Sequence, residues 1–71
     1  MTKLQQLLSH MGYQSVEDIP FHIIMDSVID GICMNDDCDY VTGMEPDQTR
    51  GYCEHCKTNT VKSLPILAGI I

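Results

Sequence analysis

The chain lacks most of what would commit it to catalysis, secretion or a membrane. No stretch approaches the roughly 20 consecutive apolar residues of a membrane-spanning helix. Its first residues, Met1 to Gln6, carry one lysine and no sustained apolar run, so no secretory signal is expected and the protein reads as cytoplasmic. Cations are scarce: four Lys and Arg stand against ten Asp and Glu, a formal net charge of −6. Nine of the ten acids lie between Glu17 and Asp47, a segment without a single Lys or Arg. Such a field repels polyanionic nucleic acid and keeps a small protein soluble. There is no phosphate loop, no nucleophile–base pair, and no H-x-E of the kind zinc deaminases use, so an enzyme is not expected. At 71 residues the chain has room for one domain with a small core. Chains of that size usually need a metal, disulfides or a partner to stay folded.

What the chain does have is four cysteines in two pairs: Cys33 and Cys38 as C-x4-C, then fourteen residues, then Cys53 and Cys56 as C-x2-C. One tight loop can aim both sulfurs of a pair inward, and the spacer can fold back to bring the pairs together. Four thiolates then satisfy a closed tetrahedral site, the arrangement preferred by structural Zn²⁺, with no position left for a reactive water. One zinc per chain is expected, and four thiolates around it bring the net charge to about −8. A two-disulfide framework would need an oxidising compartment, which nothing in the chain signals. Cys53-x-x-Cys56 is not surrounded by the βαβ pattern of a redox pair. Asp36, Asp37 and Asp39 lack the glycine and distal glutamate of a Ca²⁺ loop and read as surface acids. His55 is expected to point outward or to donate a hydrogen bond to a ligand sulfur.

The domain, residues 1–71, divides into a helical segment (1–31), a zinc ribbon (32–63) and an apolar tail (64–71). Leu4, Leu7, Leu8 and Met11 recur at helical spacing, with Thr2 placed to cap the start and Gly12 to end it. His10 falls on the polar face. Phe21, Ile24, Met25, Val28, Ile29 and Ile32 are spaced 3-1-3-1-3, which predicts a second helix entered through Pro20 and broken at Gly31. Its β-branched residues leave an extended C-terminal part as the alternative. Ile23 falls outside the stripe and is expected to be exposed. The two stripes together predict a helical hairpin packed on the ribbon.

In the ribbon, Asp39–Thr42 and Arg50–Tyr52 read as strands around a turn from Gly43 to Thr49, and Asn59–Ser63 as a possible third. The expectation is a small α+β, metal-stapled domain with two to three short antiparallel strands. The tail from Leu64 to Ile71 is almost wholly apolar. Ser63 and Pro65 suit a short final helix, while Gly69 and the β-branched residues also suit an extended segment. It is expected either to close the core or to lie in a homodimer or partner interface.

From Gly31 onward, the runs G-I-C-M-N-x-x-C-D-Y, E-P-D-Q, G-Y-C-E-x-C, T-N-T-V-K-S and L-A-G-I-I resemble small four-cysteine, rubredoxin-like zinc-ribbon proteins of bacteria and their phages. The resemblance covers about 40 of the 71 residues and implies the metal and the ribbon fold. An iron electron carrier would use the same four thiolates. Rubredoxin knuckles, however, read C-x2-C-G and C-P-x-C-G, whereas here the first pair is an x4 loop, Lys57 occupies the second glycine position, and tryptophan is absent. Two functional classes remain. The first is a protein-interaction module docking on a larger complex such as the transcription apparatus. The second is a nucleic-acid binder using Arg50, His55, Lys57 and Lys62, with Tyr52 to stack on bases. Net charge favours the first.

Overall fold

The computed structural model describes Thr2 to Ile71. It contains helices α1 (Lys3–Met11), α2 (Phe21–Ile24) and α3 (Leu64–Leu67), with a 3-10 turn at Val16–Asp18. Strands β1 (Ile29–Cys33), β2 (Val41–Met44), β3 (Gly51–Cys53) and β4 (Thr58–Ser63) form one antiparallel sheet in the order β2-β1-β4-β3.

Helix α1 forms as its sequence dictates. The Gln5 N–H donates to Thr2 Oγ1 at 3.1 Å, and the Thr2 N–H donates back to Gln5 Oε1 at 2.9 Å, so two of the donors left free by a helix start are satisfied. Gly12 ends the helix at φ +88°, a left-handed conformation that costs glycine little. Leu7 and Leu8 are buried, Leu4 and Met11 are half-buried against them, and His10 is exposed.

The second stripe is not a second long helix, and no helical hairpin forms. Helix α2 ends at Ile24 after one turn. Asp26 then accepts a hydrogen bond from the Ser27 N–H at 2.7 Å, a local turn that competes with helix continuation. The chain re-enters regular structure as β1, an inner strand. On one side it pairs Ile29 with Met44, Gly31 with Thr42 and Ile32 with Val41. On the other it pairs Gly31 with Ser63, Ile32 with Lys62 and Cys33 with Val61. Two ladders to distant segments outweigh the local ladder that the 3-1-3 spacing would have supported. The sheet consequently has four strands where two or three were expected. Of the six stripe residues only Ile24, Ile29 and Ile32 are buried; Phe21, Met25 and Val28 are 72%, 47% and 62% exposed. Ile23, expected outside, is half-buried against the core. Gly31 serves close approach rather than helix termination. A Cβ there would lie 2.0 Å from Met44 Sδ and 2.7 Å from the Lys62 carbonyl oxygen.

Two apolar clusters result, and β1 contributes to both. Leu7, Leu8, Ile19, Ile24, Ile29, Ile32 and Leu64 make up the first. Cys33, Cys38, Cys53, Met44 and Val61 make up the second. Ile32 and Cys33 are consecutive in a strand and point to opposite faces, which places one in each cluster. The tail folds back as α3 against α1, β1 and β4, burying Leu64 and Pro65 and half-burying Ile66 and Leu67. Ile70 and Ile71 remain exposed. Ser63 does not cap α3 with its side chain; its hydroxyl donates to the Pro46 carbonyl, and its N–H reaches the Gln48 carbonyl at 3.3 Å. Those two bonds tie the β2–β3 loop to the end of β4.

Candidate metal centre

Each cysteine sits where a strand ends or a turn tightens. Cys33 is the last residue of β1, and its N–H donates to the Tyr40 carbonyl at 2.9 Å, closing the loop that carries Cys38. Within that loop the Cys38 N–H donates to the Asn35 carbonyl at 3.1 Å. The Lys3 ammonium, from the start of α1, donates to the Cys38 carbonyl. Cys53 ends β3, and Cys56 lies in the turn that follows. There the Cys56 N–H points at Cys53 Sγ at 3.3 Å, and the Lys57 N–H donates to the Cys53 carbonyl at 2.7 Å. Lys57 adopts φ +59°, the left-handed conformation for which a knuckle ordinarily uses glycine.

All four sulfurs lie within 4.8 Å of one another, with Cys33, Cys38 and Cys53 buried and Cys56 half-buried. Cys38 and Cys53 are 3.7 Å apart, Cys33 and Cys56 4.0 Å. A tetrahedron of sulfurs about 2.3 Å from a central ion has edges of about 3.8 Å. A disulfide would need about 2.05 Å, and all four cysteines are free. The donor set and its spacing therefore fit a single metal ion held by four thiolates.

Around the sulfurs lie groups able to stabilise negative charge. Thr60 Oγ1 is 3.1 Å from Cys33 Sγ and 3.0 Å from Thr58 Oγ1. His55, exposed and not itself part of the sulfur cluster, places Nδ1 3.5 Å from Cys38 Sγ, in keeping with a hydrogen bond to a ligand. Burial alone would push the Cys33 thiol up. The bonds from Thr60, the Asn35 backbone and the neighbouring Cys53 and Cys38 outweigh it and lower the pKa from 9.0 to about 7. For Cys38 the Tyr40 backbone bond pulls downward, but burial and the adjacent Cys56, Cys33 and Cys53 carry it up to about 12. A metal entering this cluster must displace protons, so its affinity falls as pH falls.

The other residues singled out in the sequence are more dispersed. Asp36, Asp37 and Asp39 are exposed around the first pair. Arg50 just before β3, Tyr52 on it, and His55 and Lys57 in the turn beyond are exposed, whereas Lys62 is half-buried on β4, opposite Ile32. Thr60 and Lys3 escaped the sequence reading altogether. Neither belongs to a ligand spacing, and only the register of β4 against β1 and the docking of α1 bring them in. Among the described residues, no helix is long and apolar enough to cross a membrane. Compared with known protein families, curated proteins and solved structures, the chain has no match.

Proposed function

We propose that this protein is a non-enzymatic zinc-ribbon module, a small regulator or accessory factor that docks on a larger protein assembly. The observation that carries this reading is the clustering of four cysteine sulfurs within 4.8 Å of one another, three of those cysteines buried. Four protein thiolates fill a tetrahedral shell and leave no position for substrate or activated water, so the ion maintains shape. Zn²⁺ is preferred to iron because the knuckles depart from the rubredoxin pattern at the x4 loop and at Lys57. A net charge of −6 before metal binding favours protein partners over nucleic acid.

The test combines metal analysis of the purified chain with chelation. One zinc per chain, and loss of the native circular-dichroism spectrum on removing it, is the expected result. Coloured protein carrying iron, or a metal-free chain that stays fully folded, would overturn it. A nucleic-acid reading keeps one observation in its favour, the exposed Arg50, Tyr52, His55 and Lys57 on and around β3. Sub-micromolar, salt-sensitive binding in an anisotropy titration would reverse the ranking, with Arg50 and Lys57 the first residues to substitute.

A further inference from the structure

Besides Ile70 and Ile71 at the chain end, folding leaves a set of apolar side chains around α2 exposed. Phe21, the chain's only phenylalanine, is 72% exposed on a helix of one turn. The Met25 N–H donates to the Phe21 carbonyl at 3.0 Å, so these two stand one helical turn apart on the same side. Val28 follows three residues later, also exposed, over the edge strand β2, where a Cβ built on Gly43 would lie 3.1 Å from its Cγ1. Single exposed apolar residues are ordinary, but three large ones fall here within eight positions of one segment. That is unusual in a protein with so little apolar material to spare. Leu and Ile build the helix-side core while the one large aromatic ring free of a polar atom stays outside.

The charge around this segment specifies what covers it. Exposed Glu17, Asp18 and Asp26 and half-buried Asp30 flank it in sequence, within the segment from Glu17 to Asp47 that holds no Lys or Arg. A second copy would bring the same acids against themselves, and an anionic membrane or nucleic acid would be repelled. We propose that the α2–β1 junction is the docking face of this protein, with Phe21 as anchor and Met25 and Val28 beside it. Its partner is a protein offering an apolar cleft rimmed by Lys or Arg. Docking buries the ring in the cleft and sets the flanking carboxylates against the cationic rim, which steers association and fixes orientation. This inference rests on the protein-docking reading above and adds where the partner sits and what its surface is made of.

A photo-crosslinking residue placed in the full zinc-loaded chain at position 21, 25, 52 or 70 tests it in the source cell. The expected result is a protein adduct from positions 21 and 25 and none from 52 or 70. The crosslinked partner peptide should map to an apolar cleft lined by basic residues. With that partner purified, Phe21→Ala should weaken binding at least about tenfold, and rising salt should slow association. Melting temperature and metal content should stay as in the parent chain, because Phe21 buries little in the free protein. Adducts from position 52 or 70 alone would overturn the docking face while leaving a protein-docking function intact. Self-adducts, or adducts only with nucleic acid or lipid, would overturn the proposed partner. No protein adduct from any position would overturn both the face and the docking function.

Discussion

In one cluster, seven buried aliphatic residues from helices α1, α2 and α3, the chain around Ile19 and β1 pack against one another. In the other, the buried members are three cysteines with Met44 and Val61. The first cluster has enough apolar surface to hold by burial, at roughly 1.5–3 kcal/mol for each fully buried large aliphatic. The second has two large apolar side chains, and its remaining members are thiols that nothing gathers unless an ion does. The first cluster can thus hold by exclusion of water, whereas the second gathers four thiols that a single ion could bind. Ile32 and Cys33 are neighbours on one strand, so the two clusters are covalently and mechanically continuous.

Removing a ligand should break the comparison most severely. Cys53→Ser leaves three thiolates, and structural zinc in comparable small sites contributes on the order of 10–16 kcal/mol of apparent folding free energy. The β2–β3 side should lose its ordered amide signals in a nuclear magnetic resonance spectrum, with metal content falling well below one per chain. If those signals survive, the cysteine side does not depend on coordination.

Acid should reach the same half more gradually. Cys38, raised to about 12, is a thiol across the neutral range and costs the metal one proton at every such pH. Cys33, lowered to about 7, is a thiolate above that pH and a thiol below it. Its contribution is therefore present at higher pH and lost as pH falls through about 7. Metal affinity should drop at least about tenfold per pH unit above 7 and at least about a hundredfold per unit below it. A competition titration between pH 8 and pH 6 reads the change of slope.

On the helix side, Leu64→Ala removes a fully buried side chain where α3 meets α1 and β1. It should cost about 2–5 kcal/mol in chemical denaturation of the metal-loaded protein. Stoichiometry should remain one metal per chain, because the cavity opens in the other cluster. Loss of metal in step with stability would show that the halves are not separable. The smallest effect is expected from Thr60→Val, which keeps the shape but removes the hydroxyl 3.1 Å from Cys33 Sγ. About tenfold weaker metal binding, with little change in the metal-free state, is the expected outcome.

The two halves also differ in how much of them could be read before any coordinates. The metal cluster was legible because C-x4-C and C-x2-C are local devices. A knuckle is closed by backbone groups within a few residues, such as Cys56 and Lys57 bonding back to Cys53. Helix α1 was legible for the same reason, its stripe, cap and stop all lying between Thr2 and Gly12. The segment from Phe21 to Cys33 was not. Its apolar spacing satisfied a helix, its β-branched residues left an extended second half as the alternative, and nothing within it reported that Val41–Met44 and Val61–Ser63 would supply two ladders there. Ser63 likewise carries the local signature of a cap and uses its hydroxyl on Pro46, seventeen positions away in sequence.

The four paired cysteines, the acid imbalance between Glu17 and Asp47, the first helix and the apolar character of the tail are all legible in the sequence. These are properties of composition and short-range spacing. Only long-range pairing makes Ile29–Cys33 an inner strand of a four-stranded sheet. It decided too that Leu64 completes the helix-side core, that Thr60 and Lys3 reach the cysteine loops, and that Phe21 stays in water. Each of those outcomes depends on pairings between segments far apart in the chain. Strand register and burial are set by the sum of such pairings, and a local pattern compatible with either helix or strand carries no information about which sum is larger.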